Sequence, residues 1–172
     1  SPESPEARQA REAIRSSPRV ARMLSLRDCH GRIPDHAYAK FTGAHWVLAD
    51  LADIGYPPGD ASLIPLRDQV YETWLAPAHT REHVVERSAN RNKARPGVPI
   101  LEGRPRRCGS QEGNALYATL ALGLTDERTD QLAANLIRWQ WPDGGWNCDR
   151  KPEAATSSFH ETLLPLRGLA WH

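Results

Sequence analysis

The sequence predicts an all-α protein built from stacked helical hairpins, and three observations carry that expectation. Apolar residues recur at helical spacing over 35–54, 63–75, 115–124 and 132–139. Clusters such as Gly55-Tyr56-Pro57-Pro58-Gly59 and Pro142-Asp143-Gly144-Gly145 separate those segments, because proline lacks a donor and glycine tolerates positive φ. Finally, Gly43-Ala44-His45-Trp46-Val47-Leu48 and Gly113-Asn114-Ala115-Leu116-Tyr117-Ala118 look like equivalent positions in two copies of one hairpin. They form a degenerate repeat of about 45 to 70 residues, the pattern that stacked helical pairs produce.

In chain order, residues 1–34 read as a leader with short helices. Pro2, Pro5 and Pro18 punctuate it, Ala7 to Ile14 suits a short helix, and Val20, Met23, Leu24 and Leu26 suggest another. Residues 35–172 read as the hairpin domain. From Asp35, the residues Tyr38, Phe41, His45, Leu48, Ala49 and Ala52 line one side of a helix, and Trp46, Val47, Leu51 and Ile54 fill the rest. A helix apolar nearly all round is a buried one. Leu63, Leu66, Val70, Tyr71, Trp74 and Leu75 then mark an amphipathic partner that Pro77 stops. The rhythm breaks over 79–107, where Val98-Pro99-Ile100-Leu101, turning through Glu102-Gly103 and returning through Arg104 to Arg107, predicts a small β-hairpin. Five arginines and one lysine between Arg91 and Arg107 form either a solvated loop or an anion-binding patch. Next come a helix from Ala115 to Leu124, a turn and cap at Asp126 and Thr129, and a helix ending at Gln140. Ser158 and Glu161 fit a capping box that opens the last helix.

Bulk properties narrow the function. The 172 residues suffice for one domain with a real core. The 22 basic and 21 acidic residues nearly cancel, so nothing overall calls for nucleic acid or a membrane surface. No apolar run approaches the roughly 18 residues of a membrane span. Three cysteines without close pairing favour a reducing compartment, hence a cytoplasmic location, and thiol or metal roles over a disulfide frame.

The corner Gln140-x-x-x-Gly144-x-Trp146 resembles the QW repeat of the squalene cyclase and prenyltransferase families. A glutamine there can bond free backbone groups between two helices while the indole covers it. The segment from Ser157 through Phe159-His160-Glu161-Thr162 to Leu169 is similar to the part of protein prenyltransferase β subunits that carries their zinc histidine. The resemblance covers about the last third of the chain and implies an α/α toroid. Such a ring needs more hairpins than these residues offer, so the expectation is a partial or fragmentary ring, or a homo-oligomer that completes it.

In a ring of this kind the inner helices begin at one end, which would bring together Cys108, Cys148 and His160. Two thiolates and an imidazole are a sound zinc set with an open fourth position. Prenyltransferases hold zinc with Asp, Cys and His; here Arg106-Arg107 stands where their aspartate would be. The Cys, Cys, His set is similar to that of lantibiotic cyclases, although Cys148-Asp149 replaces their Cys-His dipeptide. Both families use zinc to present a thiolate nucleophile. Asp149 and Glu112 are the candidate general acid-base residues, and the exposed group Asp28-Cys29-His30 with His36 is a second, weaker ligand cluster. His45 reads as a satisfied core histidine. Asp50-Leu51-Ala52-Asp53 lacks the Asp-x-Asp-Asp spacing of class II terpene cyclases, which argues against squalene-type cyclisation.

The expected activity is therefore that of a zinc-dependent transferase or cyclase acting on an isoprenoid, an acyl group, or a thiol-containing small molecule or peptide. The alternative is a noncatalytic repeat module that binds a peptide or lipid or pairs with another copy.

Overall fold

The computed structural model describes residues 4–86 and 95–172. Arg91 and Lys93 of the basic run lie outside the described residues. Helices dominate: α1 (Pro5–Arg15), α2 (Pro18–Leu24), α3 (Ala44–Asp53), α4 (Ile64–Trp74), α5 (Pro77–Thr80), α6 (Gly109–Ala121), α7 (Glu127–Arg138) and α8 (Phe159–Trp171). Between α5 and α6 lies a small sheet of β1 (Glu82–Val84), β2 (Val98–Leu101) and β3 (Arg104–Pro105). None of the helices among the described residues is long and apolar enough to cross a membrane.

The expected hairpin over 98–107 forms with β2 and β3 antiparallel, Leu101 opposite Arg104. Glu102 (φ 52) and Gly103 (φ 69) make its two-residue turn with left-handed backbone at both positions. The sheet has one strand more than expected, because β1 pairs parallel to β2 through Glu82 opposite Val98. Three residues with one exposed valine carry too little periodicity to be read as a strand in isolation.

The first hairpin helix begins later than the apolar pattern suggests. Residues 36–43 instead fold back on themselves, with Gly43 N–H donating to Ala39 O and His45 N–H to Ala37 O. A Cβ at Gly43 would lie 2.4 Å from Ala37 O, so only glycine permits this approach, and α3 starts after it. Phe41 is consequently 68% exposed rather than part of a buried helix face. At the other hairpin the cap is as expected: Asp126 and Thr129 form a reciprocal capping box at the start of α7.

Helices α3, α6 and α8 pack in that order, with α4 against α3, and α7 against α6 and α8. Helices α6 and α8 run parallel. Ser110 meets Glu161 near their starts, Gly113 lies against Pro165, and Tyr117 meets Trp171 near the end. A Cβ on Gly113 would lie 2.3 Å from the Pro165 nitrogen, and Gly168 reaches equally close to the Gly113 carbonyl. Small residues thus bring the two backbones together, and Pro165 offers no N–H that this contact would leave unbonded. Near the far ends, Arg167 pairs with Asp53 at 2.7 Å and stacks over Tyr117.

The core between these helices and α4 and α7 holds Leu51, Leu66, Tyr71, Trp74, Leu116, Leu132, Leu136, Trp139 and Trp146. Residues 4–34 contribute to it. Val20 is buried in the core, and Arg15 pairs with Asp60 at 2.9 Å, although α1 itself buries no residue.

Candidate metal centre

The glycine corner after α7 builds one wall of the site. Trp141 N–H donates to Gly145 O (2.8 Å), and Gln140 Nε2 to Gly144 O (2.8 Å), closing the turn on itself. Trp146 is fully buried and its Nε1–H donates to Leu136 O at 2.9 Å, returning the chain onto the end of α7. The glutamine and the indole both act at the corner, as the repeat resemblance implies, but the glutamine bonds within the turn rather than between two helices.

The loop that follows is pinned from outside. Arg106, 3% exposed, donates through Nη1 to Asp149 O (3.0 Å) and Ala154 O (2.8 Å), and its guanidinium lies 4.6 Å from the Trp141 ring centre. Trp141 Nε1–H in turn donates to Pro105 O at 2.7 Å. Strand β3 and the Cys148 loop are therefore tied together, and Arg106 leads two residues later into Cys108, the residue that caps α6. The position that the prenyltransferase pattern would give to an acidic ligand is occupied by an arginine with a structural task.

Cys108, Cys148 and Glu161 come together, each offering one ligand atom within 4.8 Å of the other two. Cys148 Sγ lies 3.4 Å from Glu161 Oε1 as a donor. Glu161 Oε2 accepts from the Ser110 backbone N–H at 3.1 Å and the Ser110 hydroxyl at 2.7 Å. All three residues are partly buried, and the carboxylate sits on the positive end of α6. The two thiols are unlike. The hydrogen bond from Cys148 holds the Cys108 thiol below its ordinary value, while that same bond, burial and the nearby carboxylate push Cys148 up. The arrangement is one thiolate facing one thiol that shares its proton.

Behind this group lies Glu112, wholly buried, whose Oε1 accepts from Arg107 Nε at 2.7 Å and also pairs with Arg107 Nη2. Its Oε2 has no hydrogen-bond partner. Burial pushes the Glu112 carboxyl up, against the opposing effect of Arg107. The Arg107 guanidinium also faces the rings of Trp74 and Trp139, each 5.8 Å away. His45 is a satisfied core residue: it is 3% exposed, its Nδ1 accepts from Trp74 Nε1 at 3.2 Å, and burial lowers it to about 4.

The other sequence-derived residues are placed differently. His160 is exposed, its ring 6.0 Å from that of Phe159, and it is not in the group with Cys108 and Cys148. Asp149 is exposed and accepts from Lys151 N–H at 2.9 Å, an ordinary turn contact. Cys29, His30 and His36 are exposed and form no metal-ligating group, while Asp28 accepts from the backbone of His30 and Arg32.

Sequence reasoning missed Glu161 as a donor because it assigned that residue elsewhere. The expected capping box does not form: Ser158 makes no side-chain cap bond, and its backbone N–H donates to Trp146 O at 2.8 Å. The Ser158 amide that Glu161 would have bonded is thereby satisfied, and the carboxylate is free to cross to α6. An acidic residue three positions after a serine carries no mark in the sequence that distinguishes these two roles.

Two sulfurs and a carboxylate oxygen fit a borderline-soft divalent ion such as zinc. Comparison with known protein families, with characterised proteins and with solved structures gives no match for this chain.

Proposed function

We propose that this protein is a metal-dependent enzyme of the prenyltransferase and terpenoid cyclase type, holding zinc on Cys108, Cys148 and Glu161. The observation that carries the reading is the meeting of two thiols and a carboxylate at the start of α6. The parallel packing of α3, α6 and α8 supports a partial α/α toroid with these helices innermost. Zinc, when bound, would supply Lewis acidity and lower the pKa of a thiol or water at its fourth position.

The chain's own residues set the rest. Cys108 meets the ion as the more acidic thiol, and Cys148 gives up the proton that it shares with Cys108. Ser110 fixes the Glu161 carboxylate through two hydrogen bonds, leaving Oε1 toward the sulfurs. Glu112, with one unbonded oxygen behind Cys108, is the residue we assign to accept a proton from the reacting group. Asp149 does not share that enclosure. Substrates consistent with this chemistry are a thiol-containing molecule or an isoprenoid or acyl group that it attacks.

The test is zinc content by mass spectrometry after overexpression in zinc-supplemented medium, with and without Cys148→Ala. Near-stoichiometric zinc in the parent and its loss in the variant is the expected result; substoichiometric zinc in both removes the metal.

A second reading, a module that pairs with another copy, rests on one observation. Phe159, Leu163 and Leu166 recur along one face of α8 and are 75%, 54% and 49% exposed. A mass measurement in solution checks it, because pairing through that face gives a dimer that Leu163→Glu returns to monomer.

A further inference from the structure

Away from the thiols, the turn after α4 and the approach to β2 enclose a groove whose charge is all of one sign. A cavity of about 360 Å³ is lined by His79, Arg95 and Arg150 between the walls of Ala78 and Pro96. It shares Ala78, Arg95 and Pro96 with a second cavity of about 230 Å³ that adds Arg81. No acidic residue lines either one.

Arg81, Arg95 and Arg150 are exposed, and their guanidinium groups have no hydrogen-bond or ion-pair partner among the described residues. The carboxylates beside them in sequence are committed elsewhere. Glu82 Oε1 pairs with Arg138 at 2.7 Å and accepts from Trp139 Nε1 at 3.0 Å. Asp149 Oδ1 accepts from Lys151 N–H. Other arginines of this chain behave otherwise: Arg15, Arg32, Arg67, Arg107, Arg128, Arg138 and Arg167 all have carboxylate partners. Three unneutralised guanidiniums around one concavity leave an unmet charge that a ligand can satisfy.

We infer that this groove binds a phosphate or diphosphate group carried by a small-molecule substrate. Three guanidiniums match a multiply charged oxyanion better than a single carboxylate, and each planar fork can take two of its oxygens. Burial, with Arg107 and His36 nearby, holds His79 below its ordinary value, so its ring presents a neutral hydrogen-bonding edge. The rings of His79 and Trp74 meet at 5.2 Å, which braces the imidazole from behind. The groove rim includes Arg150, in the same loop as Cys148, so an anchored substrate would extend along the loop that leads to the thiols. The groove is separate from the metal-ligating group and does not depend on it.

The experiment titrates inorganic pyrophosphate into the full chain by calorimetry at near-physiological salt, after chelation and dialysis, so that no bound metal contributes. The expected result is one saturable site, weakened at least tenfold in Arg81→Gln/Arg150→Gln and unchanged in Arg22→Gln, an exposed arginine on α2. Absence of saturable binding overturns the inference, as does equal weakening by Arg22→Gln, which would mark a diffuse charge effect. Citrate binding as tightly as pyrophosphate would remove the phosphate class. A short single-stranded oligonucleotide binding more tightly than pyrophosphate would make the groove a nucleic-acid surface instead. Because the protein is metal-free throughout, failure here leaves the zinc measurement untouched, and failure there leaves this one standing.

Discussion

Glu161 Oε2 accepts both the backbone N–H and the hydroxyl of Ser110, at 3.1 and 2.7 Å, so a carboxylate from α8 occupies the first turn of α6. The bond does two things at once. It satisfies a free amide at a helix start, and it orients the other carboxylate oxygen toward Cys148.

If Glu161 is the third donor, Glu161→Gln lowers zinc affinity by roughly 100-fold and Ser110→Ala by about tenfold, since the latter only loosens a ligand's support. Competition against a chromogenic chelator measures both. His160→Ala is the deciding companion: retained affinity assigns the third donor to Glu161, and loss assigns it to His160 as the sequence pattern has it.

The buried Arg107 and Glu112 pair makes a stability prediction. Glu112→Gln leaves a guanidinium, already shut in between Trp74 and Trp139, without its counterion, and breaking such a pair costs about 3–5 kcal/mol. Replacing both partners, Arg107→Met with Glu112→Leu, should recover much of that loss. Urea denaturation of the three proteins checks it, and equal losses in the single and double variants would show that the pair is not acting as a unit.

Gly113→Ala should destabilise the protein by about 3 kcal/mol, because the new methyl meets the Pro165 backbone at 2.3 Å and α8 must move away. The same shift should reduce zinc binding, since α8 carries Glu161. A variant that loses stability but retains full affinity would break this link between helix packing and site geometry.

His45 gives a pH dependence. Its pKa is about 4 folded, against 6.5 for the free side chain, so between those values the unfolded chain binds more protons and stability rises with pH. The contribution is complete above about pH 6.5 and lost on acidification toward pH 4, a span on the order of 3 kcal/mol. Glu112, shifted upward, acts in the opposite sense, so the measurement is the difference between parent and His45→Asn. That difference should shrink as the pH falls through the window; a constant difference would mean that the imidazole titrates normally.

Much of the architecture was legible in the residues themselves. The helical periods, the Glu102-Gly103 turn, the Asp126 and Thr129 cap and the corner at Gln140 to Trp146 are short-range features, fixed by backbone preferences and by neighbours a few positions away. The meeting of Cys108 with Cys148 was also anticipated, because each lies next to a helix start and repeated hairpins stack in order. Tertiary contacts decided the rest. Adjacent residues on a helix point about 100° apart, so whether His160 or Glu161 faces the sulfurs depends on the rotation of α8. That rotation is set by the fit of Gly113 and Gly168 between the two helices, and by the Trp146 carbonyl, which takes the Ser158 amide that a capping glutamate would have used. Likewise Arg81, Arg95 and Arg150 come from three separate stretches, and only folding around Ala78 and Pro96 makes one groove of them.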